Sequence, residues 1–367
     1  MHPRRHLHTH THTHTASSSS AGAYSVAALR GRNGGPRGHS PGSRENSSGV
    51  PVSSHDMLTA VSCATSSRCA AVGTAPDGSA IAYDTSNAGK TWRRSSVPGS
   101  SGPLEALACE RSGTCIAVGS HTLLVSVDSG ARWRSVHHLA SRSDLTAVSC
   151  PSSAVCVTAG MTEDIFSAPA AVILRSTDSG ATWSPEPVPP GTQGLEALAC
   201  TRSGMCVTAG TNMLMSSDSG ARWHASFAPG GISSAMDAAS CTKRSICIIS
   251  AGPSQHTPRY LVILDPTASI QWVQLPAHVP GLRAISCYSK GSCLGISEGA
   301  NSSRSRIVML KASGSAVVST LTHRQGHLDA IWCENSGALC IAAGGTRQGA
   351  EVLRSTDEGS TWVMSRL

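Results

Sequence analysis

The sequence predicts an all-β protein: a seven-bladed β-propeller of four-stranded blades, one disulfide in each blade, behind an unfolded tail. Three observations carry that prediction. A unit recurs seven times after residue 50, most plainly in LEALACERSGTCIAVGSHTLLVSVDSGARW (104–133) and LEALACTRSGMCVTAGTNMLMSSDSGARW (195–223). The first cysteines of the units, Cys63, Cys109, Cys150, Cys200, Cys241, Cys287 and Cys333, are 46, 41, 50, 41, 46 and 46 residues apart. Periods of about 40–50 residues suit four short strands and their turns. Finally, the apolar runs are five or six residues long and are broken by Gly, Ser and Asp. A helical solenoid of similar period would need 3.6-periodic runs of about ten residues or more.

The chain divides into residues 1–50, the tail, and residues 51–367, the propeller. In the tail, His2, His6, His8, His10, His12 and His14 sit among Thr, then Ser, Gly, Arg and Pro follow with little apolar material to bury. The alternating histidines could hold a divalent metal, but a low-complexity tail or a misplaced start is the simpler reading, and no cofactor or metal is expected. Arg4-Arg5 faintly suggests a twin-arginine export signal, yet the apolar stretch such a signal needs is missing. No run of 18 apolar residues exists, so no membrane span is expected. The formal charge is +7, of which the tail carries +5; the remainder holds 23 basic and 21 acidic residues. That near-balance, with two Phe and four Tyr in the whole chain, argues against a nucleic-acid partner.

Fourteen cysteines make seven pairs: Cys63 with Cys69, Cys109 with Cys115, Cys150 with Cys156, Cys200 with Cys206, Cys241 with Cys247, Cys287 with Cys293, and Cys333 with Cys340. One pair at the same place in every unit reads as a disulfide clipping a hairpin whose facing residues lie about 5.5 Å apart. The stabilisation from so small a ring is roughly 2–2.5 kcal/mol at most. Reduced packing cysteines are the alternative; zinc fits worse, because pairs in different blades point apart. Disulfides place the folded part in an oxidising compartment, extracellular or in the cell envelope.

Within each unit the first strand is LTAVSC-like: Leu58–Cys63, Leu104–Cys109, Leu145–Cys150, Leu195–Cys200, Met236–Cys241, Leu282–Cys287 and Leu328–Cys333. A short turn leads to a second strand such as Cys69–Gly73, a variable loop to a third such as Ala171–Ser176, and a tight turn to a fourth beginning at Trp. Three residues before each first cysteine stands Ala: Ala60, Ala106, Ala147, Ala197, Ala238, Ala284 and Ala330. Innermost strands crowding round one axis leave room only for a small side chain.

The turn between third and fourth strands carries a second signature: TSNAGKTW (85–92), SVDSGARW (126–133), STDSGATW (176–183), SSDSGARW (216–223) and STDEGSTW (355–362). It resembles the Asp-box, or bacterial neuraminidase, repeat of the sialidase-like propeller superfamily, which includes the photosystem II assembly factor family. Asp128, Asp178, Asp218 and Asp357 read as structural acceptors of backbone N–H groups. Glycine supplies positive φ, while Trp133, Trp183, Trp223 and Trp362 wedge between blades. Unit 1 has Asn87 in the Asp place, unit 5 keeps only Trp272, and unit 6 has lost the motif. The resemblance covers nearly all of 57–367 and implies a propeller whose assembly-factor members bind protein without catalysis.

By this geometry the first turns and the Asp-box turns share one face, and the variable loops share the other, where a site is expected. Those loops include Glu163, Asp164, His256, Arg259, Arg304 and Arg306, with His137, His138, His278, His323, Arg324 and His327 beside them. Four residues before the first cysteines stand Thr59, Glu105, Thr146, Glu196, Asp237, Arg283 and Asp329. At the channel mouth, Glu105, Glu196, Asp237, Arg283 and Asp329 could bind a cation or a basic peptide; a solvated, internally paired lining is the plainer reading. A sialidase would need an arginine triad, a Tyr–Glu nucleophile pair and an acid Asp, and no Phe-Arg-Ile-Pro-like segment precedes the first box. The expectation is therefore a monomeric, non-catalytic binding or assembly module for a protein or polysaccharide partner. A glycoside hydrolase is the alternative.

Overall fold

The computed structural model describes residues 56–99, 101–136, 143–162, 170–210, 212–226, 236–242, 246–251, 260–264, 270–275, 281–288, 292–298, 305–311, 316–319, 326–346 and 348–367. These form seven four-stranded antiparallel sheets, each built from four consecutive strands, so none exchanges a strand with another. The innermost strands are Met57–Cys63, Ala106–Cys109, Ser143–Ser149, Leu195–Cys200, Met236–Cys241, Leu282–Tyr288 and Gly326–Cys333. Each packs beside its successor, and the last packs beside the first. The protein is an all-β propeller with four-stranded blades. No helix of the described residues is long and apolar enough to cross a membrane.

Every cysteine pair is a disulfide, and none is free. The spacing differs from expectation: Cα atoms are 3.8 Å apart in the first pair and 4.1 Å in the last. Antiparallel ladders alternate wide, hydrogen-bonded pairs with narrow, unbonded ones, and the cysteines occupy the narrow kind. Seven disulfides are consistent with an oxidising environment.

A second regularity lies at the other end of the innermost strand. In the first sheet Leu58 pairs with Gly73 and Ala60 with Val72, leaving Thr59 as a bulge. The same shift skips Thr146, Glu196, Asp237, Arg283 and Asp329. The partner strand supplies the reason. A Cβ on Gly73 would stand 1.9 Å from the Met57 carbonyl oxygen, and one on Gly344 as close to that of His327. Backbone approaches backbone there, and the extra residue bends the strand and re-aims its side chain.

The turns between third and fourth strands repeat one bonding pattern. Ser126 Oγ donates to Asp128 Oδ1 at 2.8 Å and accepts from Gly130 N–H at 2.9 Å, while Arg132 N–H donates to the same Oδ1 at 2.9 Å. Ser176, Ser216 and Ser355 repeat this with Asp178, Asp218 and Asp357. Thr85 and Asn87 do so in the first unit. The residue before the glycine has positive φ each time, as in Ser129 at 64° and Glu358 at 59°. The glycine is needed twice over. At Gly359 φ is +85°, and a Cβ would lie 2.4 Å from Leu294 of the preceding sheet. Trp133 packs with Ala70 and Val72, Trp223 with Val157, and Trp362 against the Leu294 cluster, each joining its own sheet to the one before.

Backbone bonds link these turns to the preceding sheet. Trp133 N–H donates to Ser96 O at 2.9 Å, and Ser96 N–H to Ala131 O at 3.2 Å. The last and first sheets meet the same way: Trp92 N–H donates to Arg366 O at 2.8 Å, and Ser365 Oγ to Gly89 O at 2.5 Å. The whole 1–50 tail lies outside the described residues.

Candidate functional site

The innermost strands enclose a channel with an opening on each face. Ser129 N–H donates to Gly113 O and Ser219 N–H to Gly204 O, both at 2.8 Å, so first turns and Asp-box turns do share a face. On the opposite face the bulge residues Thr59, Thr146, Glu196, Arg283 and Asp329, with Glu105 just ahead of its strand, stand around a pocket of about 200 Å³. Asp237 holds the equivalent bulge, and its side chain lies outside those described.

The structure divides this ring by role. Thr59 Oγ1 donates to Leu104 O and Thr146 Oγ1 to Leu195 O, both at 2.6 Å, so these two stitch each sheet to the next. Arg283 Nη1 lies 2.6 Å from Asp329 Oδ1, which matches the internally paired reading for that pair. Glu105 and Glu196 are exposed to the channel. Although water reaches it, the Glu105 carboxyl is walled by protein; desolvation first, and repulsion from Asp144 second, push its pKa up to about 7. Asp144 itself accepts from Ser120 Oγ at 2.6 Å.

The aspartates of the turns between third and fourth strands behave oppositely. Hydrogen bonds from the Thr182 hydroxyl and N–H hold Asp178 at about 2, and Thr361 does the same for Asp357. At Asp128 and Asp218 desolvation opposes the shift, yet backbone N–H bonds from Arg132 and Arg222 leave both below the ordinary carboxylate range. None is poised to accept a proton near neutrality. The tyrosines are no better placed as nucleophiles. Tyr83 and Tyr288 are buried, and desolvation first of all raises both phenols; Tyr83 OH donates to buried Asp56 at 2.9 Å.

On the disulfide face the channel widens to a funnel of about 640 Å³, whose wall includes Glu110, Arg111, Arg202, Trp332 and Glu334. Sequence reasoning placed the site on the loop face and passed over this funnel. The signal was present, since Trp332 stands where every other unit has Ser or Ala. Of the loop residues singled out, Arg306 and His327 lie on strands. Glu163, Asp164, His256, Arg259, Arg304, His137, His138, His278, His323 and Arg324 lie outside the described residues. Among the described residues no group of three or more His, Cys, Asp or Glu could hold a metal ion.

No family model matches the chain, and no curated protein does. Solved structures do. YCF48 from Cyanidioschyzon merolae is similar with a TM-score of 0.60 at 12% identity, over 84% of this chain and 98% of that one. An ancestral GH74 enzyme is similar at 0.61 and 10% identity over 86% of this chain, which spans 47% of that enzyme's length. A structure of YCF48 bound to D1 peptide matches at 0.47 and 14% identity, over 86% of this chain and 82% of that one. At such identities the likeness reaches the architecture and nothing finer: the chain folds as a β-propeller.

Proposed function

We propose that this protein is an exported, non-catalytic Asp-box propeller, its seven sheets the blades of one ring, that binds a protein or polysaccharide partner on the loop face. The observation that carries the reading is how the acids are used. The Asp-box aspartates serve the backbone. Acids outnumber bases around the mouth, where Glu105, Glu196 and Asp329 stand with Arg283, and Asp237 holds the equivalent bulge. Such a mouth suits a cationic segment of a partner. A lysine-rich peptide titrated calorimetrically at low salt tests this. Glu196→Gln and Asp237→Asn are expected to weaken binding several-fold each, in a graded way; no binding to the unaltered protein overturns it.

One observation favours a glycoside hydrolase as the second reading. Glu105, at about 7, is protonated near neutrality, as a general acid needs. On the binding reading, nitrophenyl glycosides are not turned over. Turnover that Glu105→Gln abolishes would install the hydrolase instead.

A further inference from the structure

The funnel on the disulfide face carries a second site, apart from the loop face. The residue before each first cysteine is Ser62, Ala108, Ser149, Ala199, Ser240 and Ser286 in six units, and Trp332 in the last. The small residues have a structural use. Ser62 Oγ accepts from Cys109 N–H at 3.0 Å, Ser149 Oγ from Cys200 N–H at 3.0 Å, and Ser240 and Ser286 from Cys287 and Cys333 at 2.9 Å. Ring packing at this level therefore asks for a hydroxyl or a methyl group, and an indole satisfies neither demand. Trp332 packs in part against the cluster holding Val61 and Cys63 and stays half-buried. It lines both the funnel and a space of about 260 Å³ deeper in the channel. The indole is thus the aromatic side chain of a cup otherwise walled by disulfides, hydroxyls and charged groups.

The charges on the described wall cancel: Glu110 and Glu334 against Arg111 and Arg202. Arg202 reaches Glu110 electrostatically from two sheets away, yet burial keeps the Glu110 carboxyl above its ordinary value. The described wall therefore offers both acceptors and donors, with the Thr65 and Thr201 hydroxyls among them. We infer that the funnel binds a neutral saccharide, its pyranose ring laid on Trp332 and its hydroxyls exchanging hydrogen bonds with Glu110, Arg202 and Glu334. A pyranose has one face of C–H bonds that stacks on an indole and a rim of hydroxyls that need both donors and acceptors. The volume of about 640 Å³ suits a ligand of two or three rings.

The test is calorimetric titration of the full chain with cellotriose, maltotriose, chitotriose and mannotriose, with tetragalacturonate and an acidic peptide as charged probes. One neutral trisaccharide is expected to bind with a Kd between about 10 μM and 1 mM. Trp332→Phe, which keeps an aromatic face, should stay within a few-fold. Trp332→Ser, which copies the residue of four other units, should melt cooperatively at a somewhat lower temperature, since the indole packs in part on the cluster around Val61, and lose binding at least tenfold. Glu196→Gln, on the other face, should leave binding unaltered, so this site and the loop-face site fail independently. The inference is overturned if no neutral trisaccharide binds up to about 10 mM. It is equally overturned if Trp332→Ser binds as well as the original, or if only the charged probes bind.

Discussion

At the scale of single residues, the Ser-x-Asp-x-Gly turn shows how one carboxylate acquires a structural task. Asp178 accepts from the Thr182 N–H and hydroxyl and from Ser176 Oγ, and its pKa falls to about 2. A lowered carboxyl stabilises the fold above its unfolded value near 4, and that support is lost as pH falls through the folded one. Asp178→Asn should therefore lower the melting temperature at pH 7 and flatten its decline between pH 4 and pH 2. Glu105 carries the opposite sign. Its raised pKa means that ionisation disfavours the folded state, a penalty that grows as pH rises from about 4.5 to about 7 and is complete above it. Glu105→Gln should then match the original at pH 4 and melt higher at pH 8. Gly359→Ala meets both a positive φ and Leu294 at 2.4 Å, and should cost about 1–3 kcal/mol in chemical denaturation.

At the scale of elements, the innermost strand does two jobs because of its bulge. One residue is freed from the ladder and turned toward the channel, and its neighbours keep the apolar seam intact. Where that residue is Thr59 or Thr146 it bonds the next sheet; Ser62 and Ser149, three positions on, bond the next sheet's cysteine N–H. The first and third units thus make both bonds, whereas Ser240 and Ser286 make the second of them in the fifth and sixth. Thr146→Val keeps shape and removes one bond, so a loss of about 1 kcal/mol is expected by urea denaturation, and no larger loss for Thr59→Val. Outer strands follow the turn. Where the Asp-box is present they are two or three residues long, as in Arg93–Arg94 and His224–Ser226. Ile270–Gln274 and Ala316–Ser319, where it is eroded or lost, are longer.

At the scale of the molecule, the seam between last and first sheets rests on Ser365 and Arg366 against Gly89–Trp92 and on Arg354 Nε donating to Ala88 O at 2.7 Å. Removing residues 364–367 should lower the melting temperature by several degrees and raise hydrogen exchange first in Gly349–Ser355, which loses its outer partner. Much was legible in the sequence because it repeats. The spacing of cysteines set the disulfides, the short apolar runs set the sheets, and Ser-x-Asp-x-Gly set the turn, all through contacts within one unit. The fate of Thr59, Thr146, Arg283 and Asp329 was not legible, because it depends on which residue of a neighbouring sheet faces each of them. Of the funnel only Trp332 stood out in the sequence, because its wall draws two to four residues from each of the seven units. By itself the sequence determined the repeat and its local bonds. Only the tertiary structure decided which side chains converge on the channel, since that convergence is set by backbone approach at the bulges and by the ring bringing distant turns side by side.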